Sequence, residues 1–164
     1  MQIYYQQAKR GNYGEASHGK ADIQYLVLHA LPSGEDTAAQ YANHMAQASM
    51  PSSVHYAVDE EQIWQMISDE DIAWHCGTRG VYYHPYCRNE NSLGIALCSR
   101  LRNGRRNFAE EGIARALALT RALMVRYAIP PERVVRHYDV THKTCPAPFV
   151  ERAAAWDVFK ARLR

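Results

Sequence analysis

Three side chains of this protein have the types and settings to hold a metal ion: His29, His137 and Cys145. Each histidine follows an apolar run of strand length, in Leu26-Val-Leu-His29 and Val134-Val-Arg-His137. Strands ending side by side would set both imidazoles at one edge of a sheet, where open α/β folds build their sites. Cys145 lies in His137-Tyr-Asp-Val-Thr-His-Lys-Thr-Cys145-Pro-Ala-Pro148, whose prolines fix the turn after it. A thiolate beside two neutral imidazoles is a three-ligand zinc set with a fourth position free for water, the arrangement of a catalytic metal. By spacing alone the same residues also fit two hydrogen-bonded core histidines and a buried thiol. A metal-free hydrolase with Cys145 as nucleophile would use the same residue types.

The elements that must position these groups can be read from periodicity and turn chemistry. Ile23 to His29 reads as a buried strand ending at the histidine, followed by a turn at Pro32-Ser-Gly-Glu-Asp36. Asp36 or Thr37 can cap a helix running from Thr37 to Ala48, stopped before Pro51. Val54 to Val58 and Gln62 to Ile67 read as a hairpin across the acidic turn Asp59-Glu-Glu61. A loop from Cys76 to Asn91 leads to an apolar strand, Ser92 to Cys98. The spacing of Ile113, Ala116, Leu117, Thr120, Leu123, Met124 and Tyr127 predicts a helix over Ala109 to Tyr127 whose stripe is core and carries no chemistry. Ile129-Pro-Pro131 breaks it, Val134 and Val135 form a last short strand, and Arg152 to Leu163 can form a closing helix. Strands interleaved with helices predict an α/β sheet with helices packed on it.

Composition narrows the function classes. A chain of 164 residues, 47% hydrophobic and 22% charged, is the size and make-up of one soluble domain. A net charge of +2 gives no reason to expect a nucleic-acid partner. The arginine run Arg100, Arg102, Arg105, Arg106 reads as a solvated loop, with association to an anionic cell wall as the functional alternative. The first twenty residues lack an apolar segment of signal-peptide length, and no apolar run is long enough to span a membrane, so neither export by such a signal nor membrane insertion is expected. Four cysteines, Cys76, Cys87, Cys98 and Cys145, read as free thiols, with Cys87 paired to Cys76 or Cys98 as the alternative.

Five strings in order carry a resemblance: Tyr25-Leu-Val-Leu-His29, Ser53-Val-His-Tyr-Ala-Val-Asp59, Ala73-Trp-His-Cys-Gly77, Asn91-Ser-Leu-Gly-Ile-Ala-Leu-Cys98, and Val135-Arg-His-Tyr-Asp-Val-Thr-His-Lys-Thr-Cys-Pro-Ala-Pro148. Together they are similar to the type 2 N-acetylmuramoyl-L-alanine amidases, a family of phage endolysins, bacterial autolysins and animal peptidoglycan recognition proteins. The last string is most similar to endolysins and autolysins of Firmicutes and their phages. The resemblance implies a single domain over residues 1–164, its motif-bearing core at about 23–150, with a mixed β-sheet, flanking helices and a zinc groove on one face. It implies cleavage of the amide between N-acetylmuramic acid and L-alanine of peptidoglycan. It further implies a host-cytoplasmic enzyme released to the wall through a phage-made lesion, or an autolysin at the wall, with a wall-binding domain possible in a longer parent.

Residue by residue, the resemblance implies zinc at His29, His137 and Cys145 and an oxyanion-stabilising ammonium at Lys143. It sets His75 against glycan or peptide, with Trp74 packed beneath it or stacked on sugar, and puts His55 and Tyr56 near the zinc face, His55 supporting a metal ligand. His18, His44 and His84 are expected at the surface, and His142 beside Lys143 at the groove. In many relatives a glutamate in the Ser-Ile-Gly-Ile-Glu strand, in others a tyrosine, takes the water proton; the matching positions here are Ala96 and Val54. Ala96 as a replacement for that glutamate, a natural binder of peptidoglycan without turnover, and proton transfer by His75 or Tyr56 are the three explanations the sequence leaves open.

Overall fold

The computed structural model describes residues 1–31, 37–78 and 80–164. The turn expected at Pro32 to Asp36, and with it the capping role of Asp36, lies outside the described residues. In chain order the elements are β1 (Tyr4–Tyr5), β2 (Tyr13–Gly14), β3 (Tyr25–Ala30), α1 (Ala38–Gln47), β4 (Tyr56–Val58), β5 (Ile63–Gln65), β6 (Ile72–Ala73) and β7 (Ser92–Leu97). After them come β8 (Arg100–Arg102), β9 (Arg105–Asn107), α2 (Glu110–Tyr127), β10 (Val134–Arg136), α3 (His137–Thr141), α4 (Ala147–Val150) and α5 (Ala153–Ala161).

The main sheet has the order β1-β5-β4-β7-β3-β10, with only the β4–β5 hairpin antiparallel. This is the mixed sheet flanked by helices that the family resemblance implies. The central strands alternate between two buried faces, as period-2 side chains must. Leu26 and Leu28 of β3, Leu93, Ile95 and Leu97 of β7, and Tyr56 and Val58 of β4 join Leu117, Leu123, Phe149 and Phe159 in the larger core cluster. Leu28 has no exposed surface, and truncating such a side chain to alanine costs about 2–5 kcal/mol. On the other face α1 packs Tyr41, Ala42 and Met45 over Ala57 and Ala96. Farther along that face, Cys76, Cys87 and Val140 cover Val27 and Val135. Between these two covers a strip of sheet is left for the site.

Helix α1 begins at Thr37, whose side chain and that of Gln40 form a reciprocal capping box. A second cap comes from the acidic turn between β4 and β5. Asp59 is buried, its Oδ1 accepts from the backbone N–H groups of Glu61 and Gln62, and its Oδ2 accepts from Ala38 N–H at 2.8 Å. Three structural expectations need correction. The arginine run is not a loop but the β8–β9 hairpin, turned by Asn103 and Gly104 at φ 52° and 73°; an Asn-Gly pair is the sequence signal for such a turn. His137 is not the end of a strand but the first residue of α3, whose N-terminus is closed by Arg136 N–H donating to Asp139. His84 is half-buried, not simply at the surface, and its Nδ1 accepts from the N–H groups of Tyr86 and Cys87. The four cysteines are free thiols. No helix among the described residues is long and apolar enough to cross a membrane.

Candidate active site

Strands β3 and β10 are parallel neighbours, with Arg136 in register with Leu28. The residues that follow this pair in the chain are His29, still in β3, and His137, which opens α3, and their rings lie 4.6 Å apart between centroids. The turn after α3 returns the chain through Tyr138 N–H to Cys145 O at 2.7 Å, and Cys145 Sγ arrives 3.9 Å from His29 Nδ1. One ligand atom each from His29, His137 and Cys145 lie within 4.8 Å of one another. Tetrahedral zinc with bonds of 2.0–2.3 Å holds its ligands roughly 3.5 Å apart, so the three atoms need little movement to close on an ion. Among the described residues His137 Nε2 is the buried side-chain atom with no hydrogen-bond partner. Buried polar atoms are seldom left so, and a metal would satisfy it. The donor set therefore fits zinc.

Electrostatics point the same way for the imidazoles. Burial, then the neighbouring histidines, holds His29 well below the usual histidine range. Burial also brings His137 down to about 4, so both are neutral at pH 7. Cys145 is pushed up by burial, against the pull of Ala30 N–H and the Lys143 ammonium. Without metal it is a thiol, which weighs against a resting nucleophilic thiolate.

These residues sit at one end of a groove of about 690 Å³, lined among others by Tyr41, Ser53, Val54, Trp74, His75, Gly77, Ala96, Arg106 and Lys143. Lys143 is exposed and donates from Nζ to Gly77 O at 2.7 Å, which anchors the ammonium at the rim. Ala96 lies on β7 directly beside His29 of β3. A side chain there would enter the groove next to the metal cluster. Val54 lines the same wall, and among the described residues no carboxylate lines the groove. Tyr41, which sequence reasoning missed, is the phenol present; burial pushes it up to about 12, so it stays protonated at neutral pH and can donate but not act as a base. Arg106 was also missed, because the hairpin that turns it into the groove was read as a loop.

The expected substrate contacts divide. Trp74 is 37% exposed and lines the groove, its backbone N–H held by Ser53 Oγ, so it is available to stack and is not packed beneath. Tyr56 is on the opposite face of the sheet, its hydroxyl donating to Asp69 Oδ1 at 2.6 Å, and it cannot touch a molecule in the groove. That network also rules it out as a proton carrier at the site. His55 has no exposed surface; its Nδ1 accepts from Gly94 N–H at 3.0 Å and its Nε2 lies 3.2 Å from Asp71 O. It neither reaches substrate nor touches a metal ligand. His75 does touch one, lying 3.1 Å from His29 Nε2. His142 stacks between Tyr83 and Tyr138 and is not among the groove-lining side chains.

A six-stranded mixed sheet carrying a His-His-Cys cluster in an open groove matches a known class. Residues 19–148 fit the profile of the N-acetylmuramoyl-L-alanine amidase family, and the chain belongs to it. A Bacillus licheniformis protein named "Probable N-acetylmuramoyl-L-alanine amidase" is 33% identical over 150 residues, covering 87% of this chain and 42% of that protein. The chain thus spans less than half the length of that curated relative. Among solved structures, a glutamate-to-alanine mutant of PlyL superposes with a TM-score of 0.80 at 26% identity, covering 99% of this chain and 98% of that one. The amidase AmiD from E. coli, in complex with the substrate anhydro-N-acetylmuramic acid-L-Ala-D-γ-Glu-L-Lys, superposes with a TM-score of 0.64 at 25% identity, over 90% of this chain and 60% of that one.

Proposed function

We propose that this chain is a zinc-dependent amidase unit that hydrolyses the bond between the N-acetylmuramoyl lactyl group and L-alanine in peptidoglycan, as part of an endolysin or autolysin. The single observation that carries the reading is the convergence of His29, His137 and Cys145, with the orphaned Nε2 of His137 among them, inside a groove of about 690 Å³. When bound, the ion supplies Lewis acidity, bringing water toward a pKa of about 7 and polarising the scissile carbonyl. Lys143, anchored on Gly77 O, would place its ammonium where negative charge develops on that carbonyl oxygen. Trp74 and Arg106, which both line the groove, would hold sugar and an acidic group of the peptide.

Hydrolysis also moves a proton from water to the departing alanine nitrogen. Position 96 matches the one where many relatives carry the glutamate that does this, and alanine there would make the chain slow. A non-catalytic peptidoglycan-binding module is the second reading, favoured by the same aliphatic pair, Ala96 and Val54. The deciding experiment digests purified cell walls with the chain and with Ala96→Glu, and detects newly freed L-alanine amino groups and muramic acid carboxyls by mass spectrometry. Release by Ala96→Glu, abolished by a chelator, supports the amidase; tight wall binding with no release from either protein supports the module.

A further inference from the structure

The groove ends on a buried histidine that none of the chemistry above employs. His75 is only 4% exposed, so little of it can meet a ligand. Its surroundings are specific. Its backbone N–H, with that of Cys76, donates to Asn89 Oδ1. The ring edge meets His55, itself pinned to Gly94 N–H. Ring Nε2 lies 3.4 Å from Ser92 O and 3.3 Å from Ser92 Oγ. Ring Nδ1 lies 3.1 Å from His29 Nε2 and 3.4 Å from Cys76 Sγ.

These contacts assign the protons. The Ser92 hydroxyl donates to Arg88 O at 2.5 Å, which leaves its oxygen lone pairs facing His75. Both groups near His75 Nε2 are then acceptors, so Nε2 carries the ring proton and Nδ1 is bare. A bare His75 Nδ1 accepts from His29 Nε2–H. His29 is thereby held as the tautomer with Nδ1 unprotonated, and Nδ1 is the nitrogen that faces Cys145 Sγ. The hydrogen bond on one ring nitrogen decides which nitrogen can bind a metal.

The sheet is cut to fit this ring. Ser92, Gly94 and Ala96 alternate along β7 on one face, with Gly94 beneath His75. A Cβ at position 94 would come 2.9 Å from His75 Cγ and 3.0 Å from Nδ1. Real Cβ atoms do not approach so closely, so a side chain there would displace the imidazole.

We infer that His75 is a positioning residue that fixes the tautomer and ring orientation of His29, and that Gly94 is glycine because it houses that imidazole. The inference rests on the reading of His29 as a zinc ligand. The test measures zinc affinity by competition with a chromogenic chelator and the visible absorption of the cobalt-loaded protein, and reads imidazole tautomers by long-range proton–nitrogen NMR on the zinc-loaded parent chain. Expected are a 10–100-fold loss of affinity in His75→Ala and in Gly94→Ala, an altered cobalt spectrum in both, and substantial recovery in His75→Gln, whose amide oxygen can accept from His29. The parent spectrum should show a proton on Nε2 of both histidines. Zinc affinity and cobalt spectrum unchanged in His75→Ala, or a proton on His75 Nδ1 in the parent, would overturn the inference even where zinc binds normally. Failure of the parent to take up zinc would instead overturn the metal reading, and this inference with it.

Discussion

One wall of the groove, formed by the ends of β3 and β10 and the α3–α4 turn, is a layered polar assembly. His29 leans on His75, His75 on Ser92, and Ser92 on Arg88, while Cys145 takes Ala30 N–H. The wall formed by α1, residues 51–54 and position 96 offers methyl groups, two serines and a phenol that stays protonated. On the proposed reading, holding a metal and moving a proton would fall to different walls, and the two need not be present together. His29, His75 and Ser92 have partners that would be left unsatisfied on their loss, at about 1–3 kcal/mol per orphaned group. Ala96 brings only a methyl group to the groove, and no side-chain hydrogen bond depends on it.

The largest effect expected is confined to the metal wall and its support. Burial first, then neighbouring charges, lowers His29, His137 to about 4, and His55 to about 3. Folded pKa values below the unfolded 6.5 mean that the unfolded chain binds more protons as pH falls. The stability these groups contribute is full above about 6.5 and is lost below it, each adding up to about 1.4 kcal/mol per pH unit. Denaturant midpoints of the metal-free protein should fall steeply from pH 6.5 toward 4; a flat profile across that interval would remove the electrostatic half of the comparison. The next largest change is at the other wall. Ala96→Glu should raise amide cleavage about 10²- to 10⁴-fold, with zinc content unaltered. Lys143→Met in that background should then lower the rate by about 10²- to 10³-fold, again with zinc retained; a parallel loss of zinc would mean that Lys143 supports the ligands and not the reaction.

Local signals made the metal wall only partly legible: an apolar run and then histidine, twice, fits core histidines as well, and it was similarity to the amidase strings that singled out His29, His137 and Cys145. The strand order that makes the two histidines neighbours is set by tertiary pairing that no local signal records, whereas the sequence supplies their level along each strand. What was illegible depends on which way a side chain faces. Tyr56 and His55 are adjacent in β-structure, so one faces α2 and the other the groove side, and similarity of the string could not separate them. His75 was legible as a residue of the site but not as the partner of His29, since that contact crosses 46 residues. Arg106 was within reach, because Asn103-Gly104 announces the hairpin that aims it.

The smallest effect belongs to Trp74, and it asks whether the two walls act on one ligand. The indole is exposed along the groove and held from behind by two hydrogen bonds between its backbone and Ser53. Removing it leaves the sheet, the metal cluster and position 96 in place. An indole stacked on one sugar face contributes about 1 kcal/mol beyond its buried area, so Trp74→Ala should weaken muramyl-peptide binding by roughly 5- to 10-fold. Calorimetry with a muramyl tripeptide and with the free tripeptide separates the contributions. Equal losses for both ligands would place the indole against the peptide, and a loss only for the sugar-bearing ligand would set the glycan along the Trp74 wall, with the scissile amide lying between it and His29.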